Sequence, residues 1–309
     1  MRNAPWKVLA AALEIDADVF HMHDPELLRI GGRLKSAGKR VVFDSHEDVP
    51  KQILGKHYLS KPVALVLSKV FGVFETFACR RLDGVIAATP TIRDKFKKNH
   101  SNVIDINNFP LLQELDSGGG WSGKKDEICY VGGISRLRGI GVAVEAMQYL
   151  RSGARFNLGG KFIDPDLERT IKTLPGWDRV NDLGFLDRAG VREVLGRSVA
   201  GLVTLLPAPN HVDSQPNKMF EYMSAGIPVI ASNFPLWREF VEGNDCGLCV
   251  DPHDPRAVAA AIDELVFDQG KARRMGENGR KAVVERYNWE VEEKKLLGFY
   301  QQIIDRKPV

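Results

Sequence analysis

Short apolar runs alternate with amphipathic segments along most of the chain. The runs predict strands at 18–23, 39–45, 83–88, 103–106, 127–131, 156–160, 180–183, 200–206 and 227–231. Between them, apolar residues recur with helical spacing, as at Leu27, Leu28 and Leu34. Alternating strands and helices predict parallel sheets that bind ligands at the carboxyl ends of their strands. The expected fold class is therefore α/β.

The pattern is interrupted once, by a segment rich in glycine and charge. This segment, LLQELDSGGGWSGKKDE, predicts a linker at 110–126. It separates a first domain, 1–109, from a second, 127–288, and a final helix at 289–309 is expected to return to the first. A length of 309 residues fits two domains, and 44% hydrophobic with 27% charged residues indicates a soluble globular protein.

Charge and cysteine content narrow the class of protein. The net charge of +3 is too small to indicate a nucleic-acid partner, and none is expected. The four cysteines are scattered and no cleavable signal is recognisable, so the expected location is the reducing cytoplasm. Cys246 and Cys249 form a CxxC, but a zinc site would need a second ligand pair. Two small apolar residues on a strand are the favoured interpretation.

The segment DSQPNKMFEYMSAGIPVI combines a helix start with a site for an anion. Pro216 suits a first helical turn, where the amides of Asn217 and Lys218 lack intrahelical partners. Because Lys218 adds a full charge to this helix end, a phosphate or diphosphate is the natural ligand. Glu221 follows one turn later on the same face, where a carboxylate can accept hydrogen bonds from ribose hydroxyls.

Part of this segment, PNKMFEYMSAGIPVIAS, resembles the signature of retaining GT-B glycosyltransferases of family 4. The resemblance is to the branch that builds bacterial capsule, O-antigen and exopolysaccharide. It implies two Rossmann-like domains whose parallel sheets face a cleft. Many members carry two glutamates eight positions apart; Glu221 matches the second, and Asp213 stands at the first. The family pattern implies that this first acidic residue contacts the donor sugar, here with a shorter side chain.

A second anion site is predicted after the strand at 127–131. The strand runs into two glycines and a basic helix start, which together describe an anion cradle. In the resembled family the matching segment reads V-G-R-L-x-x-x-K-G, and its Arg and Lys grip the diphosphate. Here Gly133 replaces the Arg, and Arg138 with Gly139 replaces Lys-Gly. Arg136 either restores the lost charge or is a solvated turn residue, and the sequence leaves both open.

Family members place backbone atoms of a later strand end against the nucleotide base. Gly184 and Phe185 match that position, which makes them the expected base-binding residues.

Polar side chains also follow the strands of the first domain. His21 and His23 alternate along one strand and should share a face. Two such histidines are compatible with a metal site. Because the sequence shows no third ligand at a convincing spacing, a hydrogen-bonded pair at the strand end is favoured. In the resembled family the histidine that ends the later strand approaches the donor sugar. His46 matches it and is the expected sugar-site residue; the alternative is a solvated loop histidine.

The apolar run VALVLSKVFGVFETFACRRL has helical character and is interrupted by Lys69. It is expected to be too short without charge to cross a bilayer. The favoured interpretation is a long core helix with its basic residues in solvent. The alternative is a basic, apolar face resting on the inner membrane, where lipid-linked acceptors are held.

The resemblance begins near what should be the fourth strand of a family member. Residues 1–17 look like the tail of a helix without a glycine-rich opening. Roughly half of the first domain is therefore expected to be absent, including a loop at the acceptor site. An exposed sheet edge and apolar surface would then favour homo-oligomers.

The expected function is retaining transfer from a nucleoside-diphosphate sugar, with a UDP-sugar as donor, to a glycan or lipid-linked acceptor in cell-surface polysaccharide synthesis. The resemblance implies that no metal is needed, because the developing diphosphate charge is met by cations and a helix start. The implied roles are ribose binding by Glu221 and sugar contact by His46 and Asp213. The expected diphosphate-binding residues are Gly133, Arg136, Arg138, Asn217 and Lys218. Two alternatives are a truncated, non-catalytic nucleotide-sugar-binding remnant and a nucleotide-sugar epimerase, and the form PNKMFEYMSAG argues against the latter.

Overall fold

The computed structural model describes residues 4–15, 17–56, 58–112, 114 and 120–306. The chain divides into two compact units: Met1–Asn108 with Glu290–Val309 form the first, and Phe109–Trp289 form the second. Each unit has its own parallel sheet. Of the segment expected as a linker, the described residues belong to the second unit, where Trp121 packs against the hydrophobic core.

The first unit contains a four-stranded parallel sheet in the order β1-β2-β3-β4. Its strands are β1 Val19–His23, β2 Arg40–Ser45, β3 Gly84–Ala87 and β4 Val103–Asp105. Its helices are α1 Ala4–Glu14, α2 Leu28–Ser36, α3 Val49–Leu54, α4 Lys61–Cys79 and α5 Pro90–Lys97, together with the last helix of the chain, α13 Trp289–Asp305. Val41, Val42 and Phe43 are almost fully buried, as expected for a strand covered on both faces.

Local sequence explains where these elements begin and meet. Thr89 caps α5 as predicted, because its hydroxyl accepts a hydrogen bond from the Ile92 amide at 3.3 Å. Gly84 lets α13 approach the sheet, since a Cβ at this position would lie 2.5 Å from the ring of Phe299. The carboxylate of Glu292 accepts the Asn107 amide at 2.9 Å and fixes the start of the same helix.

Helix α4 corrects two expectations drawn from the sequence. By length and composition alone it is long and apolar enough to cross a membrane, and it is the one such helix among the described residues. Only 22% of the apolar stretch of this helix is buried, so α4 is not a core helix. The reason is that α4 packs on α2 and α3 through one face only, which carries Ala64, Ser68, Glu75 and Cys79.

The second unit contains a six-stranded parallel sheet in the order β10-β9-β8-β5-β6-β7. Its strands are β5 Glu127–Val131, β6 Arg155–Gly159, β7 Val180–Gly184, β8 Ala200–Val203, β9 Val229–Ser232 and β10 Gly247–Val250. Its helices are α6 Ile140–Ala146, α7 Pro165–Lys172, α8 Arg188–Arg197, α9 Asn217–Ser224, α10 Pro235–Val241, α11 Pro255–Phe267 and α12 Gln269–Glu285. The chain enters at β5, extends the sheet to one side, and then returns to β8 on the other. The carboxyl ends of β5 and β8 therefore form the topological switch point, where sheets of this kind bind ligands.

Helix α9 packs directly on β8. Gly201 of β8 faces Tyr222 of α9, and a Cβ on Gly201 would lie 2.2 Å from that ring. Tyr222 is itself fully buried, and its hydroxyl accepts the Val131 amide at 3.1 Å. The start of α9 is thus held beside the carboxyl ends of β5 and β8.

Candidate functional site

The carboxyl ends of β5, β6 and β7 are lined by glycine backbone. Gly132, Gly160 and Gly184 all have positive φ values, of 137°, 152° and 60°. The Gly160 amide donates to the Gly184 carbonyl at 2.7 Å, and a Cβ on Gly160 would lie 1.9 Å from the Gly132 carbonyl oxygen. Only glycine allows this close approach, which leaves backbone without side chains at the end of the sheet.

Lys218 of α9 reaches this glycine-lined end. Its Nζ lies 3.7 Å from the ring centroid of Tyr130, and a Cβ on Gly132 would be 3.0 Å from Nζ. The pKa of Lys218 is lowered to about 7: burial is the main cause, Arg138 acts in the same direction and Glu221 opposes the shift. Among the residues that the structure describes, Lys218 has no salt-bridge partner. A buried cation without a paired anion is prepared to accept one from a ligand.

The start of α9 is open. Pro216 occupies the N-cap position, one residue before the first turn in which the sequence placed it. No side chain among the described residues caps the helix. Asn217 is exposed, so its amide can meet a ligand. Gln215, just before the cap, has a buried Oε1 atom without a hydrogen-bond partner in the described structure. The helix start therefore offers donors and one unused acceptor to a bound group.

The loop after β5 is pinned to the end of β8. Gly139 has a φ of 73°, and a Cβ there would lie 1.9 Å from the Thr204 carbonyl oxygen. The Leu206 amide donates to the Leu137 carbonyl at 2.9 Å. This contact explains why β8 ends at Val203, shorter than predicted: the chain beyond it turns to pair with the loop.

The loop places two arginines differently. Arg138 is close enough to Lys218, Tyr130 and His211 to shift the pKa of each. Arg136 is exposed and is not among the charges that act on Lys218. The charge of Arg138 therefore lies at the switch point.

Gly133, which stands where the family pattern has arginine, is also exposed. Its carbonyl accepts the Tyr130 hydroxyl at 2.8 Å. The nearest atom to a Cβ built on Gly133 is Ile163 Cδ1, at 3.9 Å, so the site has room for a side chain.

Glu221 is engaged by an arginine that the sequence did not single out. Arg188, the first residue of α8, donates from Nη1 to the Glu221 carboxylate at 3.1 Å. Its Nε lies 2.9 Å from a carboxylate oxygen of Glu114. Because the arginine is largely exposed, this pairing contributes little to stability and can yield to a ligand.

Phe185 presents an open aromatic face beyond the end of β7. Its side chain is 71% exposed, and Lys161 Nζ lies 5.2 Å from the ring centroid. The carbonyl of the preceding Gly184 already accepts the Gly160 amide, so the backbone here is fixed. An exposed ring on a fixed turn can stack on a planar base.

Asp213 is half-buried in the loop that precedes α9. The adjoining Ser214 fixes this loop: its carbonyl accepts Trp237 Nε1 at 2.7 Å, and its hydroxyl donates to the His211 carbonyl at 2.8 Å. His211 Nδ1 lies 3.0 Å from the Leu206 carbonyl, and burial lowers the pKa of this imidazole. His211 was missed in the sequence because a lone histidine in a loop carries no spacing signal.

A second polar cluster forms within the first unit, around Asp44 of β2. Its Oδ2 atom lies 3.1 Å from His21 Nε2, 3.5 Å from His23 Nδ1 and 3.6 Å from His46 Nε2. His23 Nδ1 is also 3.0 Å from His46 Nε2. The rings of His21 and His23 stack with centroids 4.3 Å apart, which confirms that they share one strand face. The Tyr300 hydroxyl of α13 hydrogen-bonds His21 Nδ1.

This cluster corrects the premise that no third metal ligand is available. Ligand atoms of His21, His23 and Asp44 all lie within 4.8 Å of one another, a spacing that suits a metal ion as well as a hydrogen-bonded network. Asp44 becomes part of the cluster because strands β1 and β2 pair in a register that places His23 opposite Asp44. Burial lowers the pKa of His23, with His21 acting in the same direction, and a neutral imidazole serves either arrangement.

The CxxC pair behaves as small apolar residues do. Cys246 is buried and Cys249 half-buried, and both are free thiols. Burial raises the pKa of each thiol to about 12. The thiolate that zinc binding or redox exchange needs is therefore strongly disfavoured at neutral pH.

Comparison with known proteins identifies the family. Residues 113–282, more than half of the chain, match the sequence model described as glycosyl transferases group 1. The chain belongs to this family. The matched segment includes the glycine-lined strand ends, Lys218 and Glu221.

Relatives among curated proteins are also sugar transferases. A D-inositol 3-phosphate glycosyltransferase of Xylanimonas cellulosilytica is 27% identical over 186 residues, which cover 59% of this chain and 43% of the relative. The match thus spans less than half the length of that protein. An uncharacterized glycosyltransferase of Methanocaldococcus jannaschii is 23% identical over 92% of this chain and 75% of its own.

Solved structures share the fold over nearly the whole chain. HepE of Anabaena in complex with UDP superposes with a TM-score of 0.77 at 16% identity, covering 96% of this chain and 82% of HepE. The two parallel sheets of this group 1 glycosyltransferase thus adopt the GT-B fold.

Proposed function

We propose that this group 1 glycosyltransferase takes a sugar from a nucleoside-diphosphate donor, a UDP-sugar, and transfers it with retention to a glycan or lipid-linked acceptor in cell-surface polysaccharide synthesis. One observation carries the proposal: a buried lysine with a pKa of about 7 lies beside Arg138, at an open helix start and against glycine backbone. Such an arrangement attracts a diphosphate. The four cysteines are free thiols, and this supports a cytoplasmic location as part of the proposal.

The donor is expected to lie along the ends of β5, β7 and β8. The diphosphate is bound by Lys218, Arg138 and the Asn217 amide. Glu221 accepts hydrogen bonds from the ribose hydroxyls, either beside its hydrogen bond from Arg188 or after that bond has broken. Phe185 stacks on the base beside Gly184. HepE, which shares the fold, was solved in complex with UDP, and this supports uracil as the proposed base.

Transfer then follows from charge development at the diphosphate. As the glycosidic bond breaks, Lys218 and Arg138 stabilise the departing oxygens, so the reaction requires no divalent cation. The acceptor attacks from the face that the diphosphate leaves, which retains the anomeric configuration. His46 and Asp213 contact the sugar, and no covalent carboxylate intermediate of the glycosidase kind is involved.

Calorimetric titration with UDP, GDP and ADP tests the donor site. We expect UDP to bind most tightly and Glu221→Ala to weaken it about tenfold, because a carboxylate that accepts two ribose hydroxyls is removed. Lys281→Met, on an exposed face of α12, is the control. If none of the three nucleotides binds to a chain shown by circular dichroism to be folded, the donor site is refuted.

A nucleotide-sugar-binding protein without transferase activity is the second candidate. Two observations favour it: Gly133 stands where the family pattern has arginine, and Asp213 stands where it has glutamate. UDP binding without release of UDP from any UDP-sugar in the presence of acceptors would support this candidate. The double variant Gly133→Arg, Asp213→Glu should then gain hydrolysis or transfer.

A further inference from the structure

Helix α4 carries a large apolar surface on the side opposite its buried residues. This surface, the α4 face, consists of Val63, Leu65, Val66, Leu67, Val70, Val73 and Phe77. Each of these side chains is between 45% and 72% exposed. Contiguous apolar surface of this extent on a folded protein marks an interaction site.

The helix is nevertheless fixed within the first unit. Ser68 donates to the Pro50 carbonyl at 2.9 Å, which ties α4 to α3. The carboxylate of Glu75 is fully buried and lies 2.6 Å from Lys95 Nζ of α5. These polar anchors hold the buried side of α4 against the unit, so the α4 face points away from it.

Every exposed charge on α4 and at its end is positive. Lys61 and Lys69 lie on the helix, and Arg80 and Arg81 follow it. The one acidic residue of α4, Glu75, is buried and paired with Lys95. An apolar face bordered by lysine and arginine is the pattern of a helix that lies in the plane of an anionic lipid surface.

Aromatic side chains extend the pattern at both ends of the helix. Lys56 Nζ lies 5.7 Å from the Tyr58 ring centroid before α4, and the Arg81 guanidinium lies 4.4 Å from the Phe77 ring centroid at its end. Long cationic side chains that cover apolar or aromatic surface can extend their charge to lipid headgroups.

A second copy of this chain fits the surface less well. In a two-fold contact the α4 face would meet itself, so the cations of both copies would be brought together without acidic partners from α4. Like charges facing each other across a contact oppose association. A lipid surface with anionic headgroups complements the apolar residues and the cations together.

We propose that the α4 face docks the protein on an anionic bilayer, with Val66, Val70 and Val73 in the headgroup boundary and Lys69 and Arg81 among the headgroups. This docking is independent of the proposed transferase function. It would bring the enzyme to a surface that holds lipid-linked acceptors.

Flotation of the full chain with vesicles tests the proposal. We expect binding to vesicles of phosphatidylglycerol and phosphatidylethanolamine, at least tenfold weaker binding to phosphatidylcholine vesicles, and release by salt of about 0.5 M. Val66→Asp with Val73→Asp should abolish binding, and Lys69→Ser with Arg81→Ser should weaken it about tenfold. Val284→Asp, at a valine of α12 that is 53% exposed, is the matched control and should bind as the parent does.

Three outcomes would overturn the proposal. The first is an unchanged affinity of the double aspartate variant for anionic vesicles; the second is a failure of the parent protein to bind any vesicle. The third is a dimer, detected by light scattering, that the aspartate variant loses while no vesicle binds, since this would assign the α4 face to a second copy. Circular dichroism and UDP titration of each variant separate loss of docking from loss of folding and from failure of the donor site.

Discussion

The proposed donor site of the second unit and the histidine cluster of the first differ in how their charges are balanced. Lys218 is buried beside another cation, and burial, assisted by the charge of Arg138, lowers its pKa to about 7. In the cluster, three imidazoles surround Asp44, so each polar group already has a partner. A ligand should therefore change the electrostatics of the donor site strongly, whereas the cluster is stable by itself.

The largest expected effect comes from removing the buried cation. Lys218→Met should weaken UDP binding about 100-fold, because a charge-assisted contact to the diphosphate is lost from a site sheltered from water. Titration calorimetry measures the loss. Lys281→Met removes an exposed lysine of the same unit and should leave the affinity within about twofold. Equal affinities of the two variants would show that the diphosphate does not lie at Lys218.

Removing the central charge of the cluster should act on stability instead. Asp44→Asn keeps the shape of the side chain but weakens its three imidazole contacts, which should cost about 1–3 kcal/mol of unfolding free energy. The measurement is the thermal unfolding transition of the parent and the variant. UDP affinity should stay unchanged, and a parallel loss of affinity would mean that the cluster and the donor site are coupled.

Whether the histidine cluster binds a metal ion can be tested by chelation. If it holds only a hydrogen-bonded network, dialysis against EDTA should change neither the unfolding temperature nor UDP release. A bound metal would appear as a stoichiometric metal content and as destabilisation on chelation.

Donor binding should depend on pH through Lys218. In the folded protein the pKa of Lys218 is lowered, mainly by burial, from its ordinary value of 10.5 to about 7, so above pH 7 the lysine of the free site is mostly neutral. A bound diphosphate favours the charged form, and affinity should fall by up to about tenfold per pH unit between pH 7 and 9. Calorimetry in buffers of different ionisation enthalpy should detect proton uptake, and Lys218→Met should abolish it.

The contribution of Lys218 to folding stability changes with pH in the opposite direction to the donor affinity. Between pH 7 and 10.5 the unfolded chain holds a proton on this lysine that the folded chain has lost. The contribution of Lys218 to the free energy of unfolding therefore rises with pH across this window, and it is least favourable below pH 7.

The smallest effect is expected at Arg188. Arg188→Ala frees Glu221 from an exposed ion pair and should tighten UDP binding by about two- to threefold, since such pairs contribute little. Comparing UDP with 2′-deoxy-UDP shows whether the gain comes from the ribose. Weaker binding by Arg188→Ala would indicate that the arginine itself contacts the nucleotide.

The sequence predicted elements whose signals are local. Thr89 before a proline marked the start of α5, and the alternation of His21 and His23 placed both on one face of a strand. Arg188 could not be predicted, because its contact with Glu221 joins positions 33 residues apart. Asp44 carried a weak signal, a carboxylate inside an apolar strand, but its partners depend on the register of β1 and β2.

Sequence alone determined the alternating α/β architecture and the position of helix α9, at whose start an anion site is proposed, since hydrophobic periodicity and helix-end chemistry act over a few residues. Tertiary structure decided the electrostatic state of Lys218, the gathering of three histidines around Asp44 and the exposure of the α4 face. Each of these depends on which distant segments cover a side chain. Burial and strand register are properties of the packed molecule, so no local pattern encodes them.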